Sequence, residues 1–439
     1  MKRPSQSVVA MTCRPRPSVW LWFSLKIVSL PALLIAAFSG LLVHGRSGRN
    51  PSGYEIELRR IEQEISQLRT PASTFPIDAQ SSIRLVYCLY QRATLTGDLV
   101  GLREVETAIV KAVQLIGPQD DLCLLKANLD LKFHRVDQAK KDLKMAPGLA
   151  DSFEGQRIQA ELDAQEGRYE KAKKGYQRLI RGKRTWDSLA RLAYLHFTTG
   201  DLSAAEQLYV EAEDEITAKE MRSYAWVELQ RGLLKLSCGR YEEALAHYQR
   251  ADTAYSGYWL VDEHMAELLG AQGNFDEAGA RYERAIARVS RPEIWQALGD
   301  LYAFRGKPHL AKPWHDRAVA RYLESVQQGE VHYFHHLASF YADVGNDGVE
   351  AVKWARKDFQ LRQNASAVDA LAWALFRAGR VAEALPVIDK ALSSGAKSAH
   401  MFFHAAMIHA AAGQVGEGEQ FLKRVFEINP RYADFHVHR

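Results

Sequence analysis

The 439-residue sequence has few cysteines and little net charge, and each shortage excludes a class of protein. Its four cysteines lie far apart and form no Cys-x-x-Cys pair, which excludes a disulfide scaffold and a zinc ribbon. Only one apolar stretch is long enough to span a bilayer, which excludes a polytopic membrane protein. With 47% hydrophobic and 25% charged residues, the composition is otherwise that of a globular protein.

The net charge of +4 is unevenly distributed along the chain. Residues 1–49 contain seven basic and no acidic residues, so the rest of the chain has a net charge of −3. A basic surface that binds nucleic acid is therefore not expected on the main body.

The basic N-terminal segment, residues 1–18, precedes a predicted transmembrane anchor at residues 19–43. These 25 residues are long enough, at ~1.5 Å each, to cross a hydrocarbon core of ~30 Å. Trp20 and Trp22 suit the interface at one end, where Lys26 can extend toward water. Four positive charges precede the span and two follow it closely. This bias predicts a cytoplasmic N-terminus and a body on the trans side, periplasmic or extracytoplasmic.

A cleaved signal sequence is the alternative for the same residues. Ala37-Phe38-Ser39 fits a small-x-small cleavage motif, and cleavage there would release a soluble secreted or periplasmic protein. It would also leave the apolar residues 41–43 near the mature N-terminus, so we expect an uncleaved anchor.

Residues 44–82 are predicted to form a polar spacer, an amphipathic helix and a linker. The helix has one apolar seam with spacings of three and four residues, made by Tyr54, Leu58, Ile61, Ile65 and Leu68. We expect this seam to pack on the domain that follows, and Thr70-Pro71 to end the helix.

From about residue 83 onward a Gly-polar-apolar-x-x-Ala pattern returns between helical stretches. Glycine suits a left-handed turn after the first helix, and alanine lets two helices approach closely. Counting weaker copies, six of nine successive spacings of the last residue are 33 or 34. A tyrosine follows several of the alanines by four residues and is predicted to fill the space to the next repeat. The clear copies are Gly167–Ala172, Gly200–Ala205, Gly239–Ala244, Gly273–Ala278 and Gly379–Ala384.

The best single copy reads Trp295-x-x-Leu298-Gly299-x-x-Tyr302, and a second reads Phe334-x-x-Leu337-Ala338-x-x-Tyr341. These motifs resemble the tetratricopeptide repeat (TPR). The resemblance implies an all-α fold, a TPR-type α-solenoid of helix-turn-helix repeats, here preceded by one transmembrane helix. It covers residues 153–432 as a TPR array and residues 83–147 as degenerate TPR-like pairs, with a tail at residues 433–439.

In the TPR family the first helix of each pair lines a concave groove that holds ligands. The resemblance therefore implies a groove for a protein or peptide partner. The residues that would face this groove follow from helical spacing in the copy that contains Trp295. These positions read as acidic with interleaved aromatic rings, which favours a basic or donor-rich segment. The predicted groove residues are Glu263, Glu267, Glu293, Gln296, Asp300, Phe304, His332, His335, Asp369 and Trp373.

Motifs for catalysis are missing: the sequence has no phosphate loop, no GxSxG and no HExxH. We therefore expect no enzyme, no cofactor and no small-molecule substrate. His332/His336 and His400/His404 are each four residues apart, as in some metal sites on one helix face. Because no acidic residue completes either pair locally, no metal site is predicted, and the histidines are expected in the groove or on the surface.

The function that the sequence favours is a membrane-anchored TPR scaffold or adaptor that binds a partner protein through its concave groove. A soluble secreted or periplasmic TPR protein stays open as an alternative, through signal cleavage. A metal-dependent protein that uses the His332–His336 cluster is the other alternative.

Overall fold

The computed structural model describes residues 51–69, 79–145 and 147–437. This part of the chain contains helices and connecting turns but no strand, which agrees with the predicted all-α fold. The first helices are α1 (Gly53–Arg69), α2 (Ala79–Thr96), α3 (Leu99–Ile116), α4 (Asp120–Lys132) and α5 (Val136–Lys144), followed by a 3-10 turn at Pro147–Leu149.

The remaining helices continue the same pattern as far as residue 428. They are α6 (Phe153–Gln165), α7 (Tyr169–Gly182), α8 (Trp186–Thr198), α9 (Leu202–Asp214), α10 (Met221–Ser237), α11 (Tyr241–Ala254), α12 (Trp259–Ala271), α13 (Phe275–Arg288), α14 (Pro292–Phe304), α15 (Pro308–Gln327), α16 (Phe334–Asp343), α17 (Gly348–Leu361), α18 (Ala365–Arg377), α19 (Val381–Ser393), α20 (Ala399–Ala411) and α21 (Val415–Ile428).

From α2 onward, consecutive helices pack as helix-turn-helix pairs, α2 with α3 through α20 with α21. The predicted small residues of the second helices are fully buried, as at Ala205 and Ala278. The tyrosines four positions later are buried as well, including Tyr209 and Tyr282. Small residues bring the two helices together and the rings fill the space beside them, so the predicted helical pairs are confirmed.

The helices begin and end where the local sequence favours it. The side chains of Thr185, Asn364 and Ser398 accept backbone N–H bonds at the first turns of α8, α18 and α20. Glycine with positive φ usually follows the first helix of a pair, as at Gly167 (φ 72°). In the turn between α4 and α5 this position is held by His134 (φ 60°), although the left-handed region is uncommon for a residue with a side chain.

The longer repeat spacings in the sequence correspond to longer helices. Helices α3, α10 and α15 have 18, 17 and 20 residues, against 13 or 14 in most other members of the pairs. These extra turns lie in the three intervals where the repeat period exceeds 34 residues.

The chain of repeats that follows Pro51 forms a coil. Residues about 200 positions apart in the sequence therefore contact each other. We call this set of contacts the turn-to-turn junction. Its hydrogen bonds include Tyr255 Oη–Glu57 at 2.6 Å, His332 Nδ1–Lys132 O at 3.1 Å, Ala365 N–Tyr169 Oη at 2.7 Å and Tyr241 Oη–Asp434 at 3.1 Å.

Glycines of the earlier repeats allow the close approach at this junction. A Cβ atom added to Gly200 would lie 2.4 Å from Cβ of Lys397, and one added to Gly167 would lie 2.7 Å from the carbonyl oxygen of Gln363. Glycines at the same turn of later repeats, such as Gly273 and Gly379, would meet nothing within 4 Å. The earlier glycines therefore serve both the turn and the junction.

Helix α1 packs on the repeats through the seam that the sequence predicts. Tyr54, Ile61 and Ile65 are buried, and the backbone amide of Tyr54 donates a hydrogen bond of 3.2 Å to Ser256 O. Burial of this seam on the array explains its apolar spacing.

Within the described part of the chain, no helix has both the length and the hydropathy needed to cross a membrane. The predicted anchor at residues 19–43 lies outside the described residues, as do residues 1–18 and most of the predicted linker.

Candidate functional site

The first helices of the pairs line two adjoining cavities, and we call the surface that bounds them the inner face. The smaller cavity has a volume of about 370 Å³ and is bordered by α12, α16, α18, α20 and the C-terminal segment. The larger has a volume of about 860 Å³ and is bordered by α6, α8, α10, α18 and α20. Asp369 and His400 border both cavities.

Four of the predicted groove residues line the smaller cavity: Glu267, His335, Asp369 and Trp373. The indole Nε1 of Trp373 donates a hydrogen bond of 2.8 Å to Asp343, and its ring stacks on His404 at a centroid distance of 4.1 Å. Burial raises the pKa of Asp343 to about 6. The cavity wall therefore combines a stacked aromatic surface with carboxyl groups.

Glu263 and Glu267 lie four residues apart on α12, and both side chains are half-buried. Burial raises the pKa of each carboxyl group to about 7. Near neutral pH these groups exchange protons readily and can either accept or donate a hydrogen bond.

Gln296 and Asp300 lie at the contact between α14 and its pair partner α15. The Tyr322 hydroxyl donates a hydrogen bond of 3.0 Å to the Gln296 side chain, and His315 Nε2 lies 2.9 Å from Asp300. Gln296 is almost fully buried there. Both side chains therefore bond to residues of their own helix pair. Their role in binding a partner stays a prediction.

Glu293 is buried near the start of α14 and bonds Arg291 at 2.7 Å. Burial raises the pKa of the Glu293 carboxyl group, but the nearby Arg291 guanidinium outweighs burial and lowers that pKa to about 2. Burial lowers the pKa of His332 to about 4, so its ring is neutral at pH 7. His335 Nδ1 lies 3.5 Å from Asp358. These residues are thus surrounded by other charged or polar groups, and of the three only His335 borders one of the two cavities.

The C-terminal segment, residues 429–437, lies on the inner face in a non-helical conformation. The Phe435 ring is 3% exposed and rests on Gly270, where an added Cβ would lie 2.5 Å from Phe435 Cδ1. Phe304 contacts the same ring at a centroid distance of 5.5 Å. The backbone amide of Val437 donates a hydrogen bond of 3.4 Å to Glu267. Two predicted groove residues, Glu267 and Phe304, therefore contact the chain's own C-terminal segment.

Sequence reasoning missed this segment because it has no helical periodicity and ends the chain. The signal available was its aromatic content, with Tyr432 and Phe435 in a stretch otherwise rich in polar residues. His436 lines the smaller cavity and contacts the Tyr432 ring at a centroid distance of 4.9 Å. His438 lies outside the described residues.

The larger cavity has aromatic and basic walls. Tyr194 is 51% exposed and contacts the Phe197 ring at 6.4 Å. Arg191 bonds Asp187 at 2.9 Å on the same helix, α8. Further lining residues are Trp186, Trp226, Arg222, Arg362 and Lys397. This wall is less acidic than the sequence predicts for the groove, because the junction brings Arg362 and Lys397 next to the earlier repeats.

Residues 265–329 and 347–433 match the tetratricopeptide repeat family. These two stretches of the chain are similar to tetratricopeptide repeats. No curated protein sequence matches it. A chain in the crystal structure of the APC/C hetero-tetramer Cut9-Hcn1 is 14% identical, with 86% of this chain and 80% of that chain covered and a TM-score of 0.42. A tetratricopeptide repeat protein from Parabacteroides merdae is 19% identical, with 55% and 93% covered and a TM-score of 0.34.

The TPR copies place the two histidine pairs at equivalent positions, since His332 precedes Phe334 by two residues and His400 precedes Phe402 by two. The preceding helix pair supplies a carboxylate to each histidine pair. This carboxylate lies more than 30 residues earlier in the sequence, so the spacing of neighbouring residues does not reveal it. Within the described residues, two sets have their ligand atoms within 4.8 Å of one another, Glu293–His332–His336 and Asp369–His400–His404. In the second set, His404 Nδ1 and Asp369 are hydrogen-bonded at 3.0 Å.

Proposed function

We propose that this chain is a membrane-anchored TPR scaffold that holds an extended segment of a partner protein on its inner face. The observation that carries the proposal is that the inner face already holds one non-helical segment, the chain's own residues 429–437. TPR arrays serve many tasks, so the site, rather than the fold, has to support the assignment.

The contacts of the C-terminal segment define the chemistry that a partner segment needs. Phe435 inserts an aromatic ring between Phe304 and the bare backbone of Gly270, and ring burial of this kind commonly anchors a peptide. The Val437 amide donates to Glu267, so a carboxyl group on the inner face receives a backbone donor. A partner segment with one aromatic anchor and free N–H donors would make the same contacts.

The adjoining larger cavity gives the rest of such a segment a place to lie. Because Asp369 and His400 border both cavities, a chain that leaves the Phe304 region can continue along α18 and α20. Tyr194 is half exposed and can receive apolar side chains, while Lys397 can pair with acidic ones.

The membrane placement rests on the amino-acid sequence of residues 19–43 and on the excess of basic residues before them. In this arrangement the N-terminus is cytoplasmic and the TPR body lies on the trans side. Retention of the full chain in membranes washed with alkaline carbonate would support the anchor. A mature N-terminus at Gly40 would instead establish the secreted or periplasmic alternative.

The peptide-binding role is tested with a labelled peptide of residues 429–437 added to the full-length chain. The Phe435→Ala chain loses the ring that holds its own segment, so it should bind the peptide several-fold more tightly than the unmodified chain. A peptide with alanine in place of its phenylalanine is the matched control and should bind weakly. If neither chain binds either peptide while both keep their helical content, the inner face is not a peptide-binding surface.

Partner capture is tested in membranes with a photocrosslinking residue in place of Phe304, whose ring contacts the C-terminal segment. The same residue in place of Glu283, an exposed position of α13, is the control for the outer surface. We expect a specific adduct from position 304 that the peptide of residues 429–437 suppresses. Adducts from position 283 alone would place the partner on the outside of the solenoid.

A further inference from the structure

We propose that Glu293, His332 and His336 bind a divalent transition-metal ion, with Zn²⁺ as the reference ion. Two imidazoles and one carboxylate are a common protein ligand set for such ions, which leaves a further position for water. The proposal is independent of partner binding, because it concerns these three side chains alone.

The three ligand atoms lie within 4.8 Å of one another. Ligand atoms at ~2.0–2.1 Å from a tetrahedral Zn²⁺ are separated by roughly 3.3 Å, so small rotations of the side chains bring them to coordination distance. His332 lies in the turn just before α16 and His336 in the first turn of that helix, and their ring centroids are 6.2 Å apart. Glu293 reaches them from α14, the first helix of the preceding repeat.

The carboxylate of Glu293 has an unused acceptor. The Glu293 residue is 6% exposed, and its Oε1 atom bonds Arg291 at 2.7 Å. Its Oε2 atom is buried and has no hydrogen-bond partner among the described residues. A buried carboxylate oxygen without a partner is costly, and a bound cation would remove that cost. Asp369 in the other set differs, because it already accepts a hydrogen bond from His404.

His332 is oriented as a metal ligand usually is. Its Nδ1–H donates a hydrogen bond of 3.1 Å to the backbone oxygen of Lys132, which leaves the lone pair on Nε2. Such a bond to the second nitrogen fixes the tautomer and the direction of the ring. The bond crosses the turn-to-turn junction, so the surrounding repeats hold the ring before any ion binds.

His134 packs against the His332 ring and has an uncommon backbone conformation. The two ring centroids are 4.7 Å apart. His134 has φ 60° at the turn where most other repeats have glycine, and a strained residue of this kind often marks a functional site. We infer that His134 is a positioning residue that packs on His332 and limits its rotation.

The bonded Arg291 is compatible with this site. Ligating carboxylates are commonly hydrogen-bonded through their second oxygen, and Arg291 makes that bond to Glu293. Two neutral imidazoles and one carboxylate would give the bound divalent ion a net charge of +1 at the site, which a coordinated hydroxide can neutralise. Arg291 also lies over the Trp259 ring, at 5.2 Å from its centroid, which holds the guanidinium beside the carboxylate.

The test is a Zn²⁺ titration of the purified full-length chain after treatment with a chelator, with Co²⁺ as a spectroscopic substitute. We expect one Zn²⁺ per chain and visible absorption from tetrahedral Co²⁺. Glu293→Gln preserves shape and the bond to Arg291, yet it should weaken Zn²⁺ binding roughly tenfold or more, as should His336→Ala. His309→Ala, at an exposed position of α15, is the control and should bind like the unmodified chain.

The melting temperature with and without Zn²⁺ is a second measurement, which separates loss of metal binding from poor folding of a variant. Zn²⁺ should raise the melting temperature of the unmodified chain and of His309→Ala, but not that of Glu293→Gln. His134→Gly should keep the turn and weaken Zn²⁺ binding several-fold. The proposal is overturned if the unmodified chain binds no stoichiometric Zn²⁺. It is also overturned if binding survives Glu293→Gln and His336→Ala but is lost when His400 and His404 become alanine, because the ion then sits at Asp369.

Discussion

The backbone amide of Ala365 donates a hydrogen bond of 2.7 Å to the hydroxyl oxygen of Tyr169, 196 residues earlier in the chain. Ala365 is the first residue of α18, where a helix leaves its N–H groups without partners inside the helix. Tyr169 is the first residue of α7. One repeat therefore caps a helix of another repeat that lies far away in the sequence.

Removal of this hydroxyl group should weaken the junction without changing either helix pair. Tyr169→Phe leaves the buried amide of Ala365 without an acceptor, which typically costs ~1–3 kcal/mol of the free energy of unfolding. Tyr194→Phe, at a half-exposed tyrosine, should change that free energy by less than ~0.5 kcal/mol. Urea denaturation followed by circular dichroism compares the two variants, and equal effects would mean that the junction bond contributes nothing.

Two glycines with similar backbone angles should respond differently to alanine. Gly200 (φ 82°) and Gly379 (φ 73°) both suffer the backbone cost of ~1–2 kcal/mol for a left-handed residue with a Cβ. Only at Gly200 does the new Cβ meet another atom, Cβ of Lys397 at 2.4 Å. We expect Gly200→Ala to lower the melting temperature further than Gly379→Ala. A larger decrease in melting temperature for Gly379→Ala than for Gly200→Ala would show that the junction opens easily.

The close helix contact inside a pair should not accept a larger side chain. Ala205 is fully buried in the same cluster as Leu189 and Tyr209. Ala205→Leu overfills that space and should cost ~1–3 kcal/mol of the free energy of unfolding. Ala280→Leu, at an exposed position of α13, is the matched control in chemical denaturation. A neutral result at Ala205 would contradict the helix pairing.

The two half-buried carboxyl groups of α12 predict a dependence of stability on pH. Burial raises the pKa of Glu263 and Glu267 from 4.5 to about 7, so the folded state holds protons that the unfolded state releases. Their contribution to stability is present in full below pH 4.5 and is lost as the pH rises through 7. Partial exposure to solvent reduces the size of this loss.

Glutamine at both positions should remove that dependence. The Glu263→Gln, Glu267→Gln double variant should lose less stability than the unmodified chain between pH 5 and pH 8. Urea denaturation at the two pH values measures the difference, and all other titrating groups cancel in the comparison. A double variant with an unchanged slope would show that these carboxyl groups titrate normally in the folded chain.

The helix pairs could be predicted because their determinants are local. The turn glycine, the small alanine and the tyrosine four residues later all act within one repeat, as Gly200, Ala205 and Tyr209 show. Helix caps are equally local, and Asn364 opens α18 through its own side chain. Such features need only the spacing of neighbouring residues.

The inner face could be predicted only in part, because several distant segments build it. Glu267 and Trp373, two positions chosen by helical spacing, line a cavity. Helical spacing does not reveal that Tyr322 and His315 of α15 bond to the side chains of Gln296 and Asp300. These bonds depend on how the two helices of the pair pack against each other. The positions of the C-terminal segment and of Lys397 depend on the coil of the whole array, and no short motif in the sequence encodes that coil.

The junction also constrains how this protein can change in evolution. A solenoid whose repeats touch only their neighbours can gain or lose one copy and keep every remaining contact. Here, an extra copy of ~34 residues between Tyr169 and Ala365 would move the two residues out of register, together with the other contacts that cross the junction. Copies added beyond the junction would leave it intact. Duplication should therefore be tolerated beyond the residues that form the junction, while the number of copies within one coil stays constant.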